Sequence, residues 1–158
     1  MSLAAQILEA ARKSRATITT AESCTGGMVA AALTDPPGAS DIFERGVVTY
    51  SNAAKVALLG VAQATLDAHG AVSEDVAAEM AQGARVRAGA QIAVAITGIA
   101  GPGGSAQKPE GRVCFALASP DTLRLETVEF GPLGRDAVRR AARDHALGLI
   151  LKALTESD

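Results

Sequence analysis

The sequence predicts an α/β fold: a single three-layer α/β/α domain around a mixed, partly parallel sheet. Apolar, β-branched runs alternate along the chain with segments of helical periodicity, as expected of strands and helices that follow one another. The run 91–97 is apolar almost throughout, which is typical of a strand covered on both faces. Neither a linker nor an internal repeat is visible, so we expect one domain over residues 1–158.

Periodicity and helix-end residues define the elements of the N-terminal half. Paired prolines end the second helix, while Ser51 and Asn52 cap the third and Gly60 closes it. Residues 62–70 form a weaker, partly helical connector. The predicted elements are a helix over 3–14, a strand over 17–20, a helix over 28–33, a strand over 45–50 and a helix over 53–59.

The same signals define the C-terminal half. Ser73 caps a helix that carries acidic residues in its first turn and arginines in its last, as the helix dipole prefers. In 123–127 Leu alternates with Arg and Glu, so we expect one face of that strand in solvent. The predicted elements are a helix over 74–88, strands over 91–97, 111–118 and 123–127, and a long helix over 135–154.

Composition excludes several classes of function. Hydrophobic residues make up 48% of the chain but aromatic residues only 3%, so we expect an aliphatic core with close helix packing through Ala and Gly. A formal net charge of −2 argues against a nucleic-acid-binding surface. No signal peptide and no run of about 18 apolar residues is present, so we expect a soluble, cytoplasmic protein without a membrane partner. Cys24 and Cys114 form neither a C-x-x-C unit nor a zinc pattern, which favours reduced thiols and no metal.

Polar residues and glycines follow three of the predicted strands. Ligands of open α/β sheets gather beyond the carboxyl ends of parallel strands, so these groups converge on one rim if the three strands are parallel neighbours. Ser, Thr and Gly at such corners are equally typical of a plain helix cap, and the third loop matches no nucleotide-binding fingerprint. The three stretches are Ser23-Cys24-Thr25-Gly26-Gly27, Tyr50-Ser51-Asn52-Ala53-Ala54-Lys55, and Thr97-Gly98 with the glycine-rich loop to Ser105.

Lys55 is the most informative of these residues. In the first turn of a helix, burial and the helix dipole both favour its neutral form, and a neutral amine can take the proton of a serine hydroxyl. Ser23 and Lys55 are therefore a candidate dyad, with Tyr50 holding the lysine or shaping the pocket. The structural alternatives are a solvated surface lysine and a core tyrosine at the end of a strand.

Two other groups of side chains are candidates. Cys24 is intrinsically the better nucleophile, but a cysteine hydrolase needs a histidine, and we expect both His69 and His145 to be surface or packing residues. Four arginines, at 135, 139, 140 and 143, crowd the start of the last helix. They form a solvated charged face unless one of them reaches the rim and clamps a phosphate or carboxylate.

Four segments together resemble the CinA C-terminal domain family, the nicotinamide-nucleotide amidases. They are TAESCTGG (20–27), GVVTYSNAAK (46–55), AVSE (71–74) and TGIAGP (97–102), and the resemblance extends from about residue 3 to 154. It implies hydrolysis of nicotinamide mononucleotide to nicotinate mononucleotide and ammonia in pyridine nucleotide salvage, without a metal or cofactor. The roles that it implies are Ser23 as nucleophile and Lys55 as base.

The resemblance also implies how the substrate is held. Tyr50 and Thr97 would be pocket residues, and Arg139 is the arginine of the last helix expected to contact the substrate. Backbone N–H groups around Cys24 to Gly27, including Thr25 and Gly26, would stabilise the oxyanion, and the loop from Gly98 to Ser105 is a candidate for the phosphate.

A regulatory nucleotide-binding module without turnover, linked to competence or DNA-damage responses, is the alternative. It would need the glycine loops and an arginine but has no use for Lys55. The Ala- and Gly-rich helices suit close packing between subunits as well as within one, so we expect a homo-oligomer.

Overall fold

The computed structural model describes residues 1–156, which form six α-helices and a five-stranded sheet; Ser157 and Asp158 of the predicted domain lie outside the described residues. Besides a short 3₁₀ turn, Ala39–Asp41, the elements are α1 (Leu3–Ser14), β1 (Ile18–Glu22), α2 (Met28–Leu33), β2 (Phe43–Val48), α3 (Asn52–Leu59), α4 (Gln63–His69), α5 (Glu74–Ala88), β3 (Ile92–Gly98), β4 (Arg112–Ala118), β5 (Leu123–Glu129) and α6 (Arg135–Thr155).

The sheet is mixed, with strand order β2-β1-β3-β4-β5. β1 lies in the centre of its parallel part and pairs in parallel with both β2 and β3. β4 runs antiparallel to β3 and to β5. The predicted α/β fold with a partly parallel sheet is confirmed. The three strands with polar ends are parallel neighbours, which is the condition for their ends to converge on one rim.

Helices cover both faces of the sheet, so the predicted three layers are present. On one face α1, α2 and α6 pack against Val94 and Ile96 of β3. On the other face α3, α4 and α5 pack against Ala93 and Ala95 of the same strand. Because successive strand residues point to opposite faces, β3 presents large side chains to the first layer and small ones to the second. All four of these side chains are fully buried, as the apolar run 91–97 predicts.

Close helix packing through glycine is present where α5 passes the end of α3. A Cβ atom on Gly83 would lie 1.9 Å from the carbonyl oxygen of Leu59, so no larger residue fits there without movement. The side chain of Glu79, also on α5, caps α4 by accepting from the N–H of Ala62 (2.8 Å) and the hydroxyl of Thr65 (2.6 Å). These contacts stabilise α4, whereas the sequence predicts only partial helicity for residues 62–70.

The edge strand β5 differs from its prediction. We expected one solvated face, but side chains on both faces are exposed, including Leu123 (38%) and Leu125 (42%). The reason is that α5 and α6 lie mainly over the central strands and leave the edge uncovered. Local alternation in the sequence cannot report how far a covering helix extends.

No helix within residues 1–156 combines the length and the apolar composition needed to cross a bilayer.

Candidate functional site

A cleft of about 390 Å³ lies at the carboxyl ends of the three parallel strands. Residues from all three strand ends line it, together with the start of α6 and the glycine-rich loop 98–105. The side chains that matter for chemistry are Ser23, Cys24, Tyr50, Lys55, Thr97 and Arg135. This is the position at which open α/β sheets bind ligands.

Lys55 and Ser23 are in direct contact in this cleft. The Nζ atom of Lys55 lies 3.0 Å from Oγ of Ser23 and 2.8 Å from the carbonyl oxygen of Thr49. Only 1% of Lys55 and 8% of Ser23 is exposed. Burial lowers the pKa of Lys55 below its ordinary value of 10.5, because the charged ammonium loses its hydration. Lys55 is therefore not the solvated surface lysine that the sequence allows as an alternative.

The start of α3 positions this lysine. Ser51 caps the helix by accepting the N–H of Ala54 (3.0 Å), as the sequence predicts, and Lys55 follows in the next position. Thr49 is fixed from the other side, because its N–H donates to the carbonyl of Glu22 (2.8 Å) and so extends the pairing of β1 with β2. The cap and the strand end together direct the side chain of Lys55 across to the end of β1.

Glu22 is a site residue that sequence reasoning missed. Its carboxylate is 1% exposed and accepts the hydroxyl of Thr25 (2.6 Å) together with the N–H groups of Gly27 (3.2 Å), Val29 (3.0 Å) and Ala30 (3.0 Å). The carboxylate of Glu22 thus accepts the free N–H groups at the N-terminus of α2. The sequence signal that could have indicated this role is a glutamate at the end of a strand, followed by Thr25 three residues later and Gly27 five residues later.

Beyond Cys24, the turn after Ser23 differs from the expectation that its N–H groups face the cleft. Gly26 donates to the carbonyl of Ser23 (3.0 Å), and Gly27 donates to Glu22. The buried Thr25 directs its hydroxyl to Glu22, and neither it nor the two glycines line the cleft. Gly26 and Gly27 have φ values of +59° and +106°, so their backbone conformation explains why glycine occupies both positions.

Tyr50 and Thr97 both line the cleft, but in different ways. Tyr50 is 59% exposed, and its hydroxyl accepts from Nη2 of Arg135 (2.7 Å) rather than bonding Lys55. Thr97 is buried, and its hydroxyl donates to the carbonyl of Ala71 (2.9 Å), which holds the link between α4 and α5 against the cleft.

Gly98 also lines the cleft. A Cβ atom there would lie 2.7 Å from the side chain of Val113, so the β3–β4 contact requires glycine.

The arginine of α6 that reaches the cleft is Arg135 and not Arg139. Arg135 bridges the mouth of the cleft, donating to Tyr50 and to the carbonyl of Gly101 (2.8 Å). Arg139 lies outside the cleft lining and donates to the carbonyls of Cys24 (3.0 Å) and Thr25 (3.5 Å). The geometry therefore departs from the expectation that Arg139 contacts the substrate, because the turn itself occupies its guanidinium.

Comparison with known proteins identifies the family. The profile of the CinA C-terminal domain matches residues 1–154. The chain belongs to this family. Nicotinamide-nucleotide amidohydrolase PncC of Escherichia coli is 53% identical to this CinA domain over 93% of the chain and 90% of that protein.

Two further relatives differ in length. A putative competence-damage inducible protein of Symbiobacterium thermophilum is 52% identical over 87% of this CinA domain, which spans only 34% of that longer protein. The crystal structure of competence/damage inducible protein CihA from Agrobacterium tumefaciens superposes with a TM-score of 0.93 at 44% identity, covering 98% of this chain and 94% of that one. The resemblance to the CinA family and the fold are confirmed.

Cys24 in this CinA domain is poorly suited to act as a nucleophile. It is 4% exposed, and burial raises the pKa of its thiol to about 11, so the thiolate is scarce at neutral pH. Both histidines interact with other residues: Nε2 of His69 lies 3.6 Å from Oδ2 of Asp75, and His145 contacts Glu126 and lies against the ring of Phe115.

In the part of the chain that the structure describes, no group of three or more His, Cys, Asp or Glu side chains is arranged to hold a metal.

Proposed function

We propose that this CinA domain hydrolyses the carboxamide of nicotinamide mononucleotide, giving nicotinate mononucleotide and ammonia, with Ser23 as nucleophile and Lys55 as base. The observation that carries the proposal is the 3.0 Å contact between Lys55 Nζ and Ser23 Oγ inside the cleft. The name of the Escherichia coli relative supports the substrate class. The proposed unit is one cytoplasmic domain over residues 1–158 that needs neither metal nor cofactor.

The surroundings of Lys55 favour its neutral form. Within residues 1–156 no carboxylate forms an ion pair with Lys55, and the groups bonded to Nζ are the neutral Ser23 hydroxyl and Thr49 carbonyl. A neutral amine fits this pair, because one N–H donates to Thr49 while its lone pair accepts the Ser23 hydroxyl. The lowering of the pKa by burial points the same way. Lys55 is thus prepared to take the proton of Ser23.

The reaction follows from this arrangement. Lys55 takes the hydroxyl proton as Ser23 Oγ bonds to the carboxamide carbon, and the tetrahedral intermediate forms. Lys55 then returns the proton to the departing nitrogen, the C–N bond breaks, and ammonia leaves an acyl ester on Ser23. Water attacks that ester with Lys55 again accepting the proton, and the acid is released with Ser23 restored.

The oxyanion is best served by the N–H group of Cys24, which lines the cleft directly after Ser23. This N–H donates to no other residue in the described part of the chain, whereas those of Gly26 and Gly27 are used within the turn. A donor directly after the nucleophile suits a developing charge on the attacked carbon's oxygen, and such a donor is typically worth about 100-fold or more in rate. This assignment narrows the expected oxyanion donors among residues 24–27 to Cys24.

The charge of the cleft suits an anionic substrate. The cationic side chain of Arg135 lines it, and none of the lining residues is an aspartate or glutamate. Among residues 1–156 Arg135 bonds only neutral oxygens, so its charge is available to a phosphate at the cleft mouth, next to the loop 98–105. We assign the phosphate contact to Arg135, and to Arg139 the role of holding the turn after Ser23.

Release of ammonia from nicotinamide mononucleotide tests the proposal. We expect turnover by the wild type, a loss of about 10²–10⁴-fold or more in Lys55→Ala, and a comparable loss in Ser23→Ala. Cys24→Ala is the control that excludes a thiol nucleophile, since it should retain turnover. Equal rates in the wild type and Lys55→Ala would reject the dyad, and binding without ammonia from any protein would favour the regulatory module.

A further inference from the structure

Glu22 is a buried carboxylate that the proposed chemistry does not use. It ends β1 directly before Ser23, and only 1% of it is exposed. No Lys, Arg or His side chain forms an ion pair with it among residues 1–156; the hydroxyl of Thr25 and N–H groups at the start of α2 stabilise it instead. Charge-assisted bonds from backbone N–H groups are strong, and this arrangement stabilises a charge that burial alone would disfavour.

The backbone of Glu22 is fixed as firmly as its side chain. In the sheet it is in register with Val48 of β2 and Ile96 of β3, and its carbonyl accepts from Thr49. The next N–H, that of Ser23, donates to the carbonyl of Ile96 (2.9 Å). Glu22 therefore joins the rigid centre of the sheet to the first turn of α2 through a single side chain.

The segment between these two attachments carries the nucleophile. Ser23 leaves the sheet, and the turn closes with the bond from Gly26 to the carbonyl of Ser23. Because the far end of the turn is bonded to the carboxylate, the turn cannot rotate without breaking several hydrogen bonds. Glu22 does not line the cleft, so any effect that it has on the reaction passes through Ser23.

We propose that Glu22 is a positioning residue: by holding the N-terminus of α2 to the end of β1, it fixes the turn 23–27 so that the hydroxyl of Ser23 meets Lys55. This inference rests on the proposed role of Ser23 as nucleophile. It assigns the N-terminal N–H groups of α2 to an internal carboxylate, and so excludes them as a phosphate site.

Glu22→Gln tests the inference, with Glu79→Gln as the matched control. Glu79 caps α4 in the same way, accepting one N–H and one threonine hydroxyl, but lies outside the cleft. Because a displacement of about 1 Å at a reacting group can cost 100-fold, we expect kcat for ammonia release to fall at least about tenfold in Glu22→Gln, with KM within about twofold. Glu79→Gln should lose comparable thermal stability and keep its kcat.

The outcomes separate the two proposals. A kcat for Glu22→Gln within twofold of that for Glu79→Gln would overturn the positioning role. If Glu22→Gln does not fold, Thr25→Val removes one donor to the carboxylate and should show a smaller loss of kcat; an unchanged kcat would overturn the role equally.

A measurement without substrate covers the case in which the wild type releases no ammonia and the proposed function fails. A fluorophosphonate bonds phosphorus to Ser23 Oγ while fluoride leaves and the hydroxyl proton passes to Lys55, and mass spectrometry follows the rate. Positioning by Glu22 predicts slower modification in Glu22→Gln than in Glu79→Gln, and equal rates would contradict it.

Discussion

Ser23 and Cys24 are adjacent in the sequence, but their contacts make them differ in how easily each side chain can lose its proton. The hydroxyl of Ser23 is bonded to a buried amine, which lowers the cost of removing its proton. Among residues 1–156 the thiol of Cys24 has no such partner, and burial raises its pKa to about 11. The proposed mechanism therefore gives more weight to the position of Lys55 than to the intrinsic nucleophilicity of sulfur.

The titration of Lys55 gives a prediction for pH dependence. Burial lowers the pKa of this amine from 10.5, and the base must be neutral to act, so kcat/KM should rise with pH through that lowered pKa and then level off. Steady-state ammonia release across this range measures the profile. Lys55→Arg is the control, because a guanidinium stays protonated and should remove both the activity and the rise. A flat profile in the wild type would contradict Lys55 as the base.

The positions of some residues in and beside the cleft were predictable from the sequence, and those of others were not. The convergence of Ser23 and Lys55 was predictable, because a hydroxyl at one strand end and a lysine in the first turn of the next helix point to one rim once the strands are parallel; their catalytic roles stay a prediction. The positions of Glu22 and Arg135 were not predictable. The first depends on how the start of α2 folds back onto the end of β1, and the second on how α6 is placed against the turn.

At the scale of elements, helices were predicted more accurately than strands. The bounds of α1, α2 and α5 agree with the prediction to the residue, because caps and breakers are local signals. β2 begins and ends two residues earlier than expected, since a strand ends where its neighbour stops pairing and not at a sequence signal. The exposed faces of β5 likewise depend on other elements, because α5 and α6 lie mainly over the central strands and leave this edge strand uncovered.

Two helix-interior glycines should respond in opposite ways to alanine. At Gly148 in α6 a Cβ atom would meet nothing within 4 Å, so Gly148→Ala should raise the free energy of unfolding by about 0.5–1 kcal/mol through helix propensity. Gly83→Ala gains the same propensity but places its Cβ 1.9 Å from the carbonyl of Leu59, so α3 must move and stability should fall. Urea denaturation of both variants checks this, and a similar gain in both would contradict the close α3–α5 contact.

At the scale of the whole molecule, the order of strands brings the site together. β1 lies between β2 and β3, so the cleft takes Ser23 from the middle strand, Lys55 from beyond one neighbour and Thr97 from the other. The layers follow from the alternation along β3, which the sequence shows only as an unbroken apolar run. Strand order itself was beyond the sequence, because pairing between distant strands leaves no local mark.

Exposed apolar side chains on β2 and α3 support the expected homo-oligomer. Val48 of the edge strand β2 is 46% exposed and Leu58 of α3 is 50% exposed, and both exposed apolar side chains and an open sheet edge favour association. Light scattering during size-exclusion chromatography should give a multiple of the monomer mass, reduced by Leu58→Asp. Val86→Asp changes a more exposed apolar side chain (71%) of α5, near the β4–β5 turn, and should leave the mass unchanged. A monomeric wild type would contradict the expectation.

The burial of Lys55 ties reactivity to the native state. In a newly made or damaged chain the same lysine is hydrated and keeps its ordinary pKa of 10.5, so it is protonated at neutral pH and takes no proton from serine. Burial lowers this pKa only when α3 and the ends of two strands enclose the amine. The proposed role of Lys55 as base therefore depends on the native fold, and a misfolded copy of this protein should not hydrolyse amides by this mechanism.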